Sequence, residues 1–245
     1  MRSRSAWRRR PFSRYALLLL ALVAVGGFYA GVQSPRQAEA AQGASKAQIA
    51  EGKALFQTSC ASCHGLNAQG TDKGPSLYGA GAAAVDFQVG TGRMPLAAPG
   101  AQAPSKRPRF SQAQIDALAA YVQSLSGGPG VPQGVDGRYP DADLTAGGEL
   151  FRANCAQCHN FAGSGGALSD GKYAPDITGT EPKHIYEAME TGPENMPVFS
   201  DQTLTPEEKL SIINYVKTIK NQPNSGGAGL GRIGPVSEGL VGWLI

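Results

Sequence analysis

The pentapeptide Cys60-Ala61-Ser62-Cys63-His64 recurs as Cys155-Ala156-Gln157-Cys158-His159, and the two copies use all 4 cysteines of the chain. C-x-x-C-H is the attachment pattern of c-type haem. Each cysteine sulfur can form a thioether with one haem vinyl group, and the histidine that follows lies beneath the iron, where it can donate an axial nitrogen. The sequence therefore predicts two covalently bound haem c groups. Cys60 and Cys63 would hold one and Cys155 and Cys158 the other, with His64 and His159 as iron ligands. A disulfide or zinc site made from the same residues is the weaker reading, because histidine directly follows the second cysteine in both copies.

The repetition extends beyond the cysteines. With an offset of 95, Gly52 meets Gly147, Leu55 meets Leu150, Phe56 meets Phe151 and Gly70 meets Gly165. A duplication of this kind signals two copies of one structural unit. In each copy Leu-Phe sits about one helical turn before the first cysteine, on the face that carries the attachment point. Each copy also closes with an amphipathic segment. The first is expected to run from about Ser111 to Leu125, with Ile115, Leu118, Ala119, Val122 and Leu125 inward and Ser111 and Gln114 as a capping box. The second is expected from about Thr205 to Ile219, with Ile212, Ile213, Val216 and Ile219 inward, Thr205 and Glu208 as the box, and Pro206 at the first helical position. Tyr121-Val122 and Tyr215-Val216 recur at matching places.

These patterns divide the 245 residues into a basic, apolar leader at 1–43, repeat units at 44–127 and 144–223, a Gly/Pro-rich linker at 128–143 and a Gly-rich tail at 224–245. Units of about 80 residues bury little apolar surface by themselves. A covalently attached macrocycle adds apolar area and crosslinks the chain, which suits a sequence with 33 glycines and 17 prolines.

An electron-transfer haem needs a second axial ligand, and methionine sulfur opposite histidine raises the reduction potential. The first unit offers Met94, in Thr91-Gly92-Arg93-Met94-Pro95. In the second, Met189 and Met196 compete. Met196 is favoured because Thr191-Gly192-Pro193-Glu194-Asn195-Met196-Pro197 repeats the Thr-Gly start and Met-Pro end, whereas Met189 lies in the helix-like stretch His184–Glu190 and reads as packing. The carbonyls of Pro75 and Pro175 are expected to accept the proton on the other ring nitrogen of each ligand histidine. His184 has no partner motif and reads as a surface residue near a helix start.

The formal charge of +3 is set by the amino terminus: Arg2, Arg4, Arg8, Arg9, Arg10 and Arg14 stand there without an acid. Removing those six from the 22 Lys and Arg leaves 16 against 19 Asp and Glu. A nucleic-acid binder concentrates basic residues in its folded part, so that class is excluded. Tyr15–Val32 is a charge-free stretch of 18 residues, about 27 Å long as a helix, close to the thickness of a bilayer core. The preceding arginines predict a cytoplasmic start and an extracytoplasmic remainder. A retained transmembrane anchor fits better than a cleaved signal peptide, because the Ala38-Glu39-Ala40 site lies far beyond the end of a long apolar run.

Each half resembles a class I cytochrome c domain. Nearly the whole chain resembles the dihaem cytochrome cc subunit of the actinobacterial menaquinol–cytochrome c reductase, through GPSLYGAGAAAVDFQVGTGRMP, AQAPSKRPRFSQAQIDALAAYVQSL, GGELFRANCAQCHNFAGSGGALSDGKYAPD, TGPENMPVFS and the tail GGAGLGRIGPVSEGLVGWLI. The resemblance implies a mainly α fold, with two tandem class I cytochrome c domains between an N-terminal transmembrane helix and a C-terminal membrane helix. Only Leu240–Ile245 follow the last charge as an apolar run, so that second membrane helix is expected to be incomplete, through truncation. The resemblance further implies haem ligation by Cys60, Cys63, His64 and Met94 and by Cys155, Cys158, His159 and Met196. It implies a place beside the cytochrome b and Rieske iron–sulfur subunits, and electron delivery to a cytochrome oxidase in a respiratory supercomplex at the cell membrane. The chain itself would be an electron carrier, and an enzyme only as part of a proton-translocating oxidoreductase. A soluble dihaem shuttle and a dihaem peroxidase are the alternatives; the second would need an iron without its methionine.

Overall fold

In each repeat the first helix and the closing helix cross so closely that a glycine is required at the contact. Gly52 faces the carbonyl of Ala117, where an added Cβ would lie 1.9 Å from the oxygen; Gly147 faces Ser211 in the same way, at 2.0 Å. The aligned glycines thus mark equivalent crossings. The computed structural model describes residues 11–32, 44–137, 139, 141–222 and 235–244.

Helix α1 (Pro11–Val32) covers the charge-free stretch and begins four residues before it. Its described side chains, 15–26, are all exposed. Among the described residues no helix is long and apolar enough to cross a membrane. Arg2–Arg10 and Ala38-Glu39-Ala40 lie outside the described residues.

The first repeat comprises α2 (Lys46–Ser59), the single turn α3 (Ala61–His64), α4 (Gly81–Gly90) and α5 (Gln112–Ser126). Ser45 caps α2, accepting from Gln48 N at 3.1 Å. The capping box on α5 is present, with Ser111 and Gln114 each bonding the other's backbone. Phe56, Ile115, Leu118, Tyr121 and Val122 form the core, and the Phe56 and Tyr121 ring centroids are 5.3 Å apart.

The second repeat comprises α6 (Leu144–Asn154), the turn α7 (Ala156–His159), strands β1 (Gly166–Ala167) and β2 (Tyr173–Ala174), α8 (Pro182–Thr191) and α9 (Pro206–Asn221). Asp143 caps α6, and Thr205 and Glu208 form the predicted box at the start of α9. Phe151, Ile212, Ile213 and Val216 form the core, with Phe151 and Tyr215 centroids 5.5 Å apart. The repeated Tyr-Val pairs therefore recur because each tyrosine packs on the phenylalanine of Leu-Phe. The antiparallel β1–β2 pair has no helical-repeat signature and fills the longer interval between the second motif and its proline.

Among its described residues the linker forms no helix or strand, yet it is docked. Pro129 O accepts from Ala83 N at 3.0 Å, while Val135 and Tyr139 pack on the second core. At the carboxyl end α10 (Pro235–Leu244) leaves Leu240, Trp243 and Leu244 exposed.

Gly52→Ala and Gly147→Ala each force the crossing helices apart. Each is expected to destabilise the protein by about 1–3 kcal/mol, the usual cost of overpacking, read from denaturant midpoints.

Candidate functional site

Each C-x-x-C-H forms one helical turn that starts at the C-terminal residue of a longer helix. The turn closes with His64 N donating to Cys60 O at 3.0 Å and His159 N donating to Cys155 O at 2.9 Å. Residues three and four apart share a face of such a turn, so both thiols and the imidazole point into one space. All four cysteines are free. Burial, then the neighbouring Cys63, pushes the Cys60 thiol up to about 11; burial, then Cys158, pushes Cys155 up to about 12. Burial thus disfavours the thiolate form of two of the four thiols. Among the described residues these motifs form no metal-ligand cluster.

Both histidines are oriented as expected. His64 Nδ1 lies 2.8 Å from Pro75 O and His159 Nδ1 lies 3.0 Å from Pro175 O. A carbonyl only accepts, so each Nδ1 carries the hydrogen and each Nε2 keeps its lone pair for a metal. Burial lowers the His159 pKa, with the Pro175 bond acting against it, so this ring is neutral at neutral pH. Gly70 N and Gly165 N donate to the carbonyls of His64 and His159 at 2.8 and 3.0 Å, fixing the chain after each motif in the same way.

Two crevices result. One, of about 250 Å³, is lined by Cys60, Cys63, His64, Pro75 and Met94; the other, of about 230 Å³, by Cys155, Cys158, His159, Pro175, Met189 and Met196. Met94 and Met196 both follow a glycine with positive φ, Gly92 at 69° and Gly192 at 56°, which turns the chain out of the preceding helix. Met189 is 2 % exposed and belongs to the second core. The residues present fit haem c in both places: paired thiols, a fixed imidazole and a thioether sulfur around one cavity.

Three features escaped the sequence. His184 is not a surface residue; it is buried on α8 against the first repeat, its ring 6.2 Å from Phe87. The two crevices share a wall, since Gln102, Ala103 and Glu194 line both. Lys209 on α9 is fully buried, and its ammonium bonds Glu190 at the end of α8 and Asp201 beyond Met196, the latter at 2.9 Å. The Thr-Gly…Met-Pro pattern signals the loop, but nothing near Lys209 in sequence signals the ion pairs that hold it.

The family model described as "Cytochrome c" matches residues 49–126, and that described as "Cytochrome C oxidase, cbb3-type, subunit III" matches residues 142–216. The cytochrome bc1 complex cytochrome c subunit of Mycobacterium tuberculosis is 51% identical, over 97% of this chain and 87% of that one. This chain belongs to the cytochrome bc1 complex cytochrome c subunits. The Corynebacterium diphtheriae member is 46% identical over 97% of this chain and 90% of that one. The cbb3-type cytochrome c oxidase subunit CcoP of Rhodobacter capsulatus is 40% identical over 36% of this chain and 32% of that one.

Membership gives the chain its role, haem c electron transfer within the respiratory reductase. Met196 lies in the loop between α8 and α9. Lys209 ties both ends of that loop to α9. Burial raises the Glu190 pKa while the Lys209 bond acts to lower it. Lys209→Met leaves two carboxylates facing each other without their cation. With Glu190 and Asp201 both reaching solvent, it is expected to cost about 1.5–3 kcal/mol, as losing a hydrogen bond to a charged group does, read as a lower denaturant midpoint.

Proposed function

We propose that this chain is a membrane-anchored dihaem c carrier. It would take electrons from a Rieske iron–sulfur subunit beside cytochrome b and pass them to a cytochrome oxidase, completing menaquinol oxidation without a diffusing cytochrome c. One observation carries the proposal: both repeats set two cysteine thiols, a proline-oriented imidazole and a Met-Pro methionine around a single crevice.

Haem would be held covalently by Cys60 and Cys63 and by Cys155 and Cys158, with His64 and Met94, and His159 and Met196, as the nitrogen and sulfur donors to its iron. When bound, it supplies a one-electron iron couple. The chain's own groups do the rest. The proline carbonyls hold the Nδ1 protons, which keeps each Nε2 aimed and raises its basicity. Phe56 and Phe151, at 1 % and 0 % exposure, pack the helices that carry the attachment turns. The closed loop around Met196 keeps the thioether at the crevice. A methionine donor in each half favours electron transfer over catalysis at an open iron, the requirement of a peroxidase.

Membrane attachment is supported by the charge-free stretch Tyr15–Val32 and by the arginines before it, and their order supports an extracytoplasmic site. Cytochrome b, the Rieske subunit and the oxidase are supported by the resemblance and by the relatives' names. The oxidase connection is further supported by the likeness to a cbb3-type oxidase subunit. Copurification from membranes, followed by identification of the subunits, tests these partners. Recovery of the chain alone in the soluble fraction contradicts them.

Met94→Ala is expected to lower the potential of the first haem and Met196→Ala that of the second, each leaving the other unchanged in a spectroscopic redox titration. Met189→Ala is expected to leave both potentials in place and to cost about 2–5 kcal/mol of stability. Unchanged potentials in Met94→Ala and Met196→Ala contradict the ligand assignment.

A further inference from the structure

Where α4 of the first repeat packs on α8 of the second, the interface encloses ionisable groups that neither crevice uses. Asp86 on α4 is 1 % exposed and Glu187 on α8 is 0 % exposed. Lys183 Nζ lies 2.5 Å from Asp86 Oδ2, and Gln112 Nε2 donates to Asp86 Oδ1 at 3.0 Å. His184 Nδ1 lies 2.7 Å from Glu187 Oε2. Asp86 Oδ2 and Glu187 Oε1 are buried without a conventional hydrogen-bond donor aligned on them. A carboxylate oxygen of each lies within 4.8 Å of one of the other's. Two buried carboxyl oxygens facing each other without a donor are satisfied together only if one of them carries a proton.

We propose that Asp86 and Glu187 share one proton across the interface between the repeats, and that this pair positions the two haem crevices against each other for electron transfer between them. The inference rests on the dihaem reading above for its consequence, but not for the proton itself.

Charge decides the protonation. With both carboxylates ionised, Lys183 would leave a net negative charge in a water-excluded contact. With one proton the set of Asp86, Lys183, Glu187 and a neutral His184 is balanced. Like charges at this range cannot both persist without a large penalty. Burial, then the Asp86 bond and the Asp86 charge, push the Glu187 carboxyl up to about 10. Burial acts to raise Asp86 as well, but the bonds from Glu187, Lys183 and Gln112 outweigh it and hold Asp86 below its ordinary value. Burial keeps His184 neutral, so its Nδ1–H donates to Glu187. The other charged groups near the pair are Glu181 before α8, Arg93 after α4 and Asp116 on α5, which reaches Asp86 through Gln112. From α9, Lys209 turns to Glu190 and Asp201 instead.

A divalent cation would also suit Asp86, His184 and Glu187, whose ligand atoms lie within 4.8 Å of one another. The Lys183 ammonium already sits on Asp86, and a second cation beside it would be repelled. A proton satisfies the same two oxygens without that cost.

The interface reaches the haem sites directly. Phe87, next to Asp86, supports Arg93 at 4.7 Å from its ring, and both line the second crevice although they belong to the first repeat. Further along, Gln102 makes two bonds with the Tyr173 backbone, at 2.6 and 3.1 Å, and Ala103 N donates to Glu194 Oε1 at 2.6 Å. These residues lie at the shared wall, and the α4–α8 contact fixes its two sides.

The sign of the pH dependence follows. Docked, Glu187 keeps a proton that separated repeats release above the ordinary value of 4.5. The contribution of the pair is complete below that value, declines above it and is lost as pH rises through about 10.

The test uses the full holoprotein, with the infrared band of protonated carboxyl groups and the iron–iron distance distribution from pulsed electron paramagnetic resonance. Glu187→Gln keeps an acceptor for His184 in its carbonyl and presents an amide donor to Asp86, but cannot titrate. The wild type is expected to show a carboxyl band at neutral pH that Glu187→Gln removes. Its narrow distance distribution is expected to broaden as pH rises through about 10, while that of Glu187→Gln stays narrow. No Glu187-dependent band, equal broadening in both proteins, or a stoichiometric divalent metal in the purified chain would overturn the proposal. The infrared band needs no haem, and an iron count on the same sample tests the dihaem reading separately.

Discussion

Everything in each repeat depends on one helix crossing. The glycine at positions 52 and 147 lets the first helix lie against the backbone of the closing helix. That contact fixes the direction of the first helix, and the C-x-x-C-H turn continues directly from its end. The thiols and imidazole therefore inherit their placement from a contact that involves no functional group. The capping boxes at Ser111 and Thr205 set the other partner by fixing where each closing helix begins. A small unit with two such helices and an irregular remainder has limited apolar area, which a macrocycle held in the crevice would supplement.

The two repeats are related in design but differ in what each asks of its surroundings. The second crevice borrows Phe87, Arg93 and residues 102–105 from the first repeat, while among the described residues the first borrows only Glu194 from the second. The second methionine loop is longer and is held by Lys209, Glu190 and Asp201; the first is pinned by backbone bonds, with Met94 N on Gln88 O at 2.9 Å and Lys106 N on Thr91 O at 3.1 Å. Two haems in such unlike surroundings would differ in potential, because burial and neighbouring charge tune the iron.

Local and periodic information was legible in the sequence. The motif spacing, the Leu-Phe and Tyr-Val recurrences and both capping boxes follow from contacts within one helix or from repetition, and their placement agrees with the structure. The orientation of His64 and His159 by Pro75 and Pro175 was also accessible, since a carbonyl near each motif is the natural partner of the free ring nitrogen. What could not be read depends on pairs far apart in the chain. Asp86 meets Lys183 and Glu187 across two units, so His184 looked like a solvent-facing residue when its own helix was considered alone. Lys209 carries no signal within its own helix, because its partners lie on α8 and beyond Met196. The β1–β2 pair was missed because two-residue strands carry no period.

If both repeats hold haem through their own cysteines, mass analysis of the denatured, fragmented protein will find one haem on the fragment containing Cys60–His64 and one on the fragment containing Cys155–His159, each surviving denaturation. Recovery of either fragment from the mature, purified protein with its thiols unmodified would contradict it.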